Sequence, residues 1–350
     1  MKIRNILLTL LSIAVFAGIL ALVDKTVGNY AMRILNLSAI YIVLALSLNL
    51  LNGFTGLFSL GYAGFMAVGA YVSALLTMSP EVKEMNFFIE PLVPWLQGVS
   101  LPFVLAMLAG GACAALVGFL VSAPVLRLRD DYLAIATLGF SEIIRVLLTN
   151  AQSITNGAQG LKNIPKHSTT WIVWGAAGLA VAFMGLFTRS SYGRLLKAVR
   201  DDEVAAEAMG VNVFRVKVVS FTISSFMAGV GGALLAHMIT TIDPKMFTFL
   251  LTFNVLLIVV LGGNGSITGS IIAAIGVTVL MEAMRFLDGP LNFLVIKTQG
   301  TPGLRMVVFS LMLMAVVIFR QKGLMGDKEW TWDRLGQTGL VPRGKKGASK

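Results

Sequence analysis

The residues of this chain best placed to do chemistry are charged groups set in apolar surroundings. Glu142-Ile-Ile-Arg145 and Glu282-Ala-Met-Arg285 each put an acid and a base three residues apart. On a helix that spacing brings both to one face, where they pair. Ionisable groups in lipid are expensive and mark pathways, proton relays or solute contacts. Local pairing is the plainer role for both couples, and lining an entry gate is the alternative. Asn36, Asn49 and Asn254 also stand in apolar runs. Their amides can bond between helices, or contact a zwitterionic solute.

Bond-making chemistry finds no footing. His167 and His237 lie far apart in the sequence, and Cys113 is the single cysteine, inside an apolar run. One cysteine allows neither an intramolecular disulfide nor a cysteine-based metal site. There is no H-E-x-x-H and no G-x-S-x-G. Gly262-Gly263-Asn264-Gly265 lacks the Lys-Ser/Thr that closes a nucleotide loop. It reads as a tight turn between helices. No catalytic residue, no metal ligand and no cofactor of the chain's own are expected, and the chain is not read as an enzyme. If ATP drives it, another chain must bind the ATP and its Mg.

The elements that position these groups are set by hydrophobicity. Of 350 residues, 56% are hydrophobic and 13% charged, against about 25% charged in a soluble domain. Mean hydropathy is +0.82. Runs of about 20 apolar residues match the thickness of a bilayer core. In lipid the backbone must satisfy its own hydrogen bonds, so such runs fold as helices. The expected architecture is an all-α, polytopic transmembrane helical bundle of about ten helices. They fall near 5–23, 30–51, 57–78, 100–126, 132–150, 171–188, 217–239, 248–262, 266–286 and 303–320. The span 248–262 is short enough to be a broken or re-entrant segment. Lys2 and Arg4 ahead of the first run also suit a signal peptide, but Asp24-Lys25-Thr26 is a poor cleavage site. An uncleaved first helix is the expectation. One membrane domain is expected over 1–320, with a tail over 321–350 expected to be disordered. Leu340-Val341-Pro342-Arg343-Gly344 resembles the recognition site of a specific protease and is given no role in the fold.

Charge sets the orientation. The chain carries a formal +11. That charge sits between apolar runs rather than along one surface, which argues against nucleic acid as a partner. Placing both termini in the cytoplasm puts most of the 28 Lys and Arg inside. The loop 79–99, with Glu81, Glu84 and Glu90 but only Lys83, then lies outside.

One inside loop stands apart. Residues 189–217 begin basic, turn acidic, and then read as a short helix from Asp202 to Met209. Asp201 or Asp202 suits an N-cap, and Gly210 a C-cap. Ala205, Ala206 and Ala208 would let another protein approach closely. The alternative is a solvated, positive-inside loop.

Several segments, in order, resemble the branched-chain amino acid (Liv-type) permeases of ABC importers, in their M-type subunit. Asn52-Gly-Phe-Thr-Gly-Leu-Phe-Ser-Leu-Gly-Tyr-Ala-Gly-Phe-Met-Ala-Val-Gly-Ala-Tyr71 is similar to the family's G-x-x-S-L-G-x-A-x-F-x-x-x-G-A-Y. Leu126 to Arg145 is similar to its L-R-L-R-G-x-Y-x-A-I-x-T-L-x-F-x-E-I-I-R, with Asp130 where glycine is common. Thr155-Asn-Gly-Ala-Gln-Gly160 resembles its T-x-G-x-x-G loop. Leu261-Gly-Gly-Asn-Gly-Ser-Ile-Thr-Gly269 resembles its G-G-x-G-S-x-x-G turn. The loop 189–217 looks like its ATPase-coupling loop, although the L-P that follows E-A-A-x-x-x-G in other importers is absent.

The resemblance covers about 30–320. It implies an ATP-driven importer subunit of the bacterial inner membrane that passes leucine, isoleucine or valine. It also implies a second homologous permease, two ATP-binding subunits and a periplasmic substrate-binding protein as partners. Arg200, Asp201, Asp202, Glu203, Ala205, Ala206 and Gly210 would form the coupling loop. Asn36, Asn49, Glu142, Arg145, Asn254, Glu282 and Arg285 are the pathway or gate candidates. Urea, short amides or other amino acids are alternative substrates, and an ion-coupled secondary transporter is the alternative mechanism. Gly53, Gly56, Gly61, Gly64 and Gly69 are expected to serve close helix packing, with a bending helix as the alternative.

Overall fold

A computed structural model of the chain describes residues 18, 20–22, 28–128, 130–285, 291–293, 296–298, 307–311, 314, 318, 323–326 and 329. The fold is built from helices α1 (Asn29–Asn49), α2 (Tyr62–Thr77), α3 (Phe103–Val125), α4 (Asp130–Asn150), α5 (Thr170–Arg189), α6 (Ser191–Asp201), α7 (Glu203–Ala208), α8 (Val213–Ile239), α9 (Phe249–Gly262) and α10 (Ile267–Ala283). A short antiparallel strand pair, Leu291–Phe293 with Ile296–Thr298, follows. Among the described residues six helical segments are long and apolar enough to cross a membrane, and α2 and α10 are shorter apolar helices. The expected first and last spans, 5–23 and 303–320, lie mostly outside the described residues. The run 248–262 is unbroken as α9, with a single 3-10 turn, Pro244–Met246, ahead of it.

Two helices form the centre. In the apolar window of α8, 72% of residues are buried, and in that of α1 with its extension to Thr55, 78%. The corresponding share in α4 and α5 is 28%, so these two lie at the periphery. Their outward side chains, such as Leu147, Leu179 and Leu186, are large, apolar and exposed, as a lipid-facing surface requires. α8 packs on α3, α2 and α1, and α10 packs on α1 and α9.

Lipid offers no hydrophobic drive between helices, so close approach and buried hydrogen bonds must hold the bundle. Glycines supply the approach. A Cβ on Gly69 of α2 would collide with the Gly229 carbonyl of α8. One on Gly232 of α8 would collide with the Met66 carbonyl. Gly110 of α3 meets Gly69 in the same way. Hydroxyls supply the bonds. Ser47 of α1 donates to the Ser224 carbonyl at 2.6 Å, and Ser224 donates back to the Ser47 carbonyl at 2.8 Å. An N–H in the first turn of α2, which a helix leaves unpaired, and one just ahead of the helix are taken by threonines of other helices. Ala63 N donates to Thr252 Oγ1 at 2.9 Å, and Leu60 N to Thr137 Oγ1 at 3.1 Å.

The end of the bundle where α2 and α8 finish is closed by loops. Leu161 and Ile242 exchange backbone bonds at 2.8 and 2.9 Å. The Thr155–Gly160 loop turns through left-handed backbone at Asn156, Gly157 and Gly160 to reach them. Lys83 is buried there, donating to the carbonyls of Leu96 at 2.8 Å and Val99 at 2.6 Å. Burial holds its ammonium below the usual lysine pKa.

The packing makes a testable distinction among glycines. Gly69→Val and Gly232→Leu must push helices apart, at a cost of about 3 kcal/mol or more. Gly175, on the exposed side of α5, has open space where a Cβ would stand. Size-exclusion chromatography of detergent extracts should show loss of the monodisperse peak for the first two variants and a normal peak for Gly175→Ala.

Candidate functional site

The loop 189–217 folds into two helices, α6 and α7, where the sequence suggested one. α6 was missed because its charges read as loop. Its apolar positions nevertheless recur at helical spacing, and Gly193, Leu196 and Val199 are buried. Ser190 caps it, with Oγ accepting from Gly193 N at 3.3 Å. α7 starts at Asp202, whose Oδ1 accepts from Ala205 N at 3.0 Å. It stops at Gly210, whose φ of +83° is a left-handed conformation that glycine adopts without strain. Lys217 at the start of α8 pairs with Glu203 at 2.5 Å and ties α7 to the bundle.

α7 has a distinct outward face. Ala205, Glu207 and Ala208 are exposed, and so are Val204 at 78% and Met209 at 85%. Ala206 is different. It is 5% exposed and faces the bundle, so of the three alanines expected to offer a close approach only Ala205 and Ala208 do so. Six residues of helix carry too little periodicity for the sequence to assign that side.

Beneath this loop three chain segments meet. α1 does not stop at Asn49 but widens into a π-helical turn, Leu50–Thr55, which ends at Gly56 with φ +78°. A Cβ on Gly53 of this turn would collide with the backbone of Gly265 in the α9–α10 turn. Asn49 holds the two together. Its Nδ2 donates to Ser266 O at 2.9 Å and to Ser270 Oγ at 2.8 Å, and its Oδ1 accepts from Gly265 N at 2.8 Å.

The third segment is the end of α6. Arg200 Nη1 donates to Gly53 O at 3.0 Å, while Asp201 Oδ1 accepts from Arg200 Nε and Nη2 at 3.1 and 2.9 Å. Lys197 stands 5.8 Å from the centre of the Phe54 ring. The tail adds a further clamp. Leu324 N donates to Leu261 O at 2.8 Å. Glu329 Oε1 accepts from Ile267 N at 2.6 Å, and its Oε2 from Thr268 Oγ1 at 3.1 Å. Glu329 thus puts a carboxylate on the N-terminus of α10, where a helix dipole favours it.

The pathway candidates are not brought together. Glu142 and Arg145 pair on α4, with Arg145 Nε donating to Glu142 Oε2 at 2.7 Å, both side chains partly exposed. Glu282 and Arg285 pair at 3.0 Å, and Tyr30 at the start of α1 donates to the same Glu282 oxygen. Asn49 has both N–H donors committed at the α9–α10 turn. Asn254 is half-buried on α9. Asn36 is buried on α1, donating to Thr170 Oγ1 at 3.2 Å. Its Oδ1 has no hydrogen-bond partner among the described residues.

Residues 30–317 match the family described as branched-chain amino acid transport system / permease component. The chain is 36% identical to the high-affinity branched-chain amino acid transport system permease protein LivM of Escherichia coli, over 74% of this chain and 64% of that protein. It thus spans somewhat under two thirds of that relative's length. It is 25% identical to a probable branched-chain amino acid transport permease protein LivM of Methanocaldococcus jannaschii, over 83% of this chain and 91% of that one. A guanosine ABC transporter permease protein, NupQ of Bacillus subtilis, is 25% identical over 53% of this chain and 60% of that one. No solved structure matches the chain.

Two variants test these contacts. Exchanging the partners, Glu142→Arg with Arg145→Glu, keeps the pair and should leave the folded yield within about twofold of the parent on gel filtration. Glu329→Ala removes the carboxylate from α10 and should cost about 1 kcal/mol, read as a lower Tm in detergent.

Proposed function

Because the chain belongs to the branched-chain amino acid transport system permease family, we propose that it is one permease subunit of an ATP-driven importer for leucine, isoleucine or valine in the bacterial inner membrane. A second, homologous permease completes the pathway. Two ATP-binding subunits hold the nucleotide and its Mg and dock on the loop 189–217. A periplasmic binding protein delivers the amino acid at the opposite end. Both termini of this chain lie in the cytoplasm.

The observation that carries this reading is the outward face of α7. Val204 and Met209 are among the most exposed large apolar side chains of the described residues, and they flank the small Ala205 and Ala208. Apolar groups in a solvated, charged loop gain by burial against a partner, at about 25 cal/mol per Å² of apolar surface removed from water. Asp202, Glu203 and Gly210 give that face its shape by capping, anchoring and ending the helix. Asp201 orients Arg200, and Ala206 seats α7 on the bundle.

Ion coupling finds less support. Both intramembrane carboxylates, Glu142 and Glu282, are bound to arginines one turn away. A carboxylate already committed to an ion pair is not the free, buried acid that ion coupling would use. Of the pathway candidates, Asn36 alone combines burial with an acceptor that has no partner among the described residues. That acceptor suits the ammonium group of an amino acid. The substrate side chain then needs only an apolar wall.

Proteoliposomes carrying the full complex, with ATP enclosed on the side of the ATP-binding subunits and the binding protein outside, test the assignment. ATP-dependent uptake of labelled leucine is expected, with competition by isoleucine and valine. Competition by urea or a nucleoside alone would redirect the substrate. Val204→Asp with Met209→Asp should lower uptake more than tenfold and release the ATP-binding subunits on gel filtration, while the permease stays in the membrane. Asn36→Leu should raise the KM for leucine several-fold with little change in the ATP hydrolysed at saturation.

A further inference from the structure

We propose that Arg200 is the positioning residue that ties the ATPase-facing loop to the pathway helices, by holding the Gly53 carbonyl of the π-helical turn. This rests on the importer reading above and gives one residue of its loop an inward task. α7 turns its apolar side chains away from the bundle, whereas Arg200, at the end of α6 just before it, turns its guanidinium in.

Four observations meet at this residue. Arg200 donates to Gly53 O at 3.0 Å across a separation of 147 positions in the chain. Its Nε and Nη2 donate to Asp201 Oδ1, which leaves Nη1 to reach Gly53. Gly56, the left-handed end of the π turn, lies against it, for a Cβ there would stand 3.0 Å from Arg200 Cγ. Gly265 lies against it too, at 3.1 Å from such a Cβ to Arg200 Nη1. One side chain thus touches both the end of α1 and the α9–α10 turn. Lys197, one turn earlier on α6, rests over Phe54 of the same segment.

The π turn is the part of α1 able to answer a pull. Its wider ring replaces the usual helical bonding for six residues, and such turns recur at functional sites. α1 also carries Asn36 near its other end, in contact with α5. A shift of α6 and α7 toward a closing pair of ATP-binding subunits therefore displaces Gly53 and Gly265 together. It re-aims α1 and α10 relative to α8. Without Arg200 the subunits can still dock on α7, but their motion no longer reaches the π turn.

The test separates docking from transmission in the reconstituted complex, with Arg200→Ala, Arg200→Lys and the Val204→Asp/Met209→Asp pair measured side by side. Arg200→Ala should keep the ATP-binding subunits attached and ATP hydrolysis within about twofold. Amino acid carried per ATP hydrolysed should fall about tenfold or more. Hydrogen exchange at Leu51–Leu57 should rise at least several-fold. Arg200→Lys, which keeps one donor for Gly53 O but not the fork, should restore part of the ratio and so exclude a mere folding defect. Loss of the ATP-binding subunits in Arg200→Ala would make Arg200 a docking residue and overturn the tether. Normal transport per ATP would overturn it as well. If the parent chain binds no ATP-binding subunit at all, the importer reading fails, and unchanged exchange at Leu51–Leu57 in Arg200→Ala would separately remove the contact with the π turn.

Discussion

Gly53 brings two backbones so close that a Cβ there would strike Gly265 N, while one on Gly265 would stand a tight 3.2 Å from Gly53 O. Neither segment is a regular α-helix at that point. One is a π-helical turn and the other a loop, and both sit where a bundle passes from lipid to loops. Backbone groups outside regular hydrogen bonding are costly unless paired. The surrounding residues respond to that need. Asn49 takes Gly265 N and donates to Ser266 and Ser270, Arg200 takes Gly53 O, and Glu329 takes the N-terminus of α10. Helix ends, loop and tail are thereby fixed to one junction, and the arrangement of α1, α9 and α10 follows from it.

The loop that rests on this junction has two faces with different chemistry. Val204 and Met209 point outward, Ala206 is buried against the bundle, and Arg200 and Lys197 reach Gly53 and Phe54. In the proposed importer the first set meets the ATP-binding subunits and the second set holds the membrane helices. Docking and transmission then belong to different residues a few positions apart. Farther into the bundle, the reciprocal Ser47–Ser224 bonds and the glycine contacts of α2, α3 and α8 pack the centre closely. Displacement at the junction is therefore carried by whole helices rather than absorbed by local repacking.

Much of the fold was legible because lipid leaves an apolar run little choice. From 30–51 to 266–286, each expected span meets a helix. The roles expected of Gly53, Gly61, Gly64 and Gly69 as sites of close packing agree with what a side chain there would strike. The loop was read less well. α6 hides behind six basic residues in 189–217, although Leu196 and Val199 keep a helical spacing. α8 begins at Val213 rather than 217, because Asn212 caps it and Glu203 neutralises Lys217. The π turn leaves no signature in Leu50–Thr55, where the pattern reads as helix running into a turn. The partners of Asn49, and Gly53 as partner of Arg200, lie about 150 positions or more away, and only the fold can name them. Glu142–Arg145 and Glu282–Arg285 were found as pairs by spacing alone, since a pair three residues apart on a helix needs no tertiary information.

The central claim is that this chain works as one part of a larger ATP-driven assembly. Its most direct test is purification of the chain from its native membrane in mild detergent, with bound proteins identified and counted by mass spectrometry. The account predicts two ATP-binding chains and one second permease per copy. Recovery of this chain alone, reproducibly and in a form that transports amino acids without ATP, would contradict it.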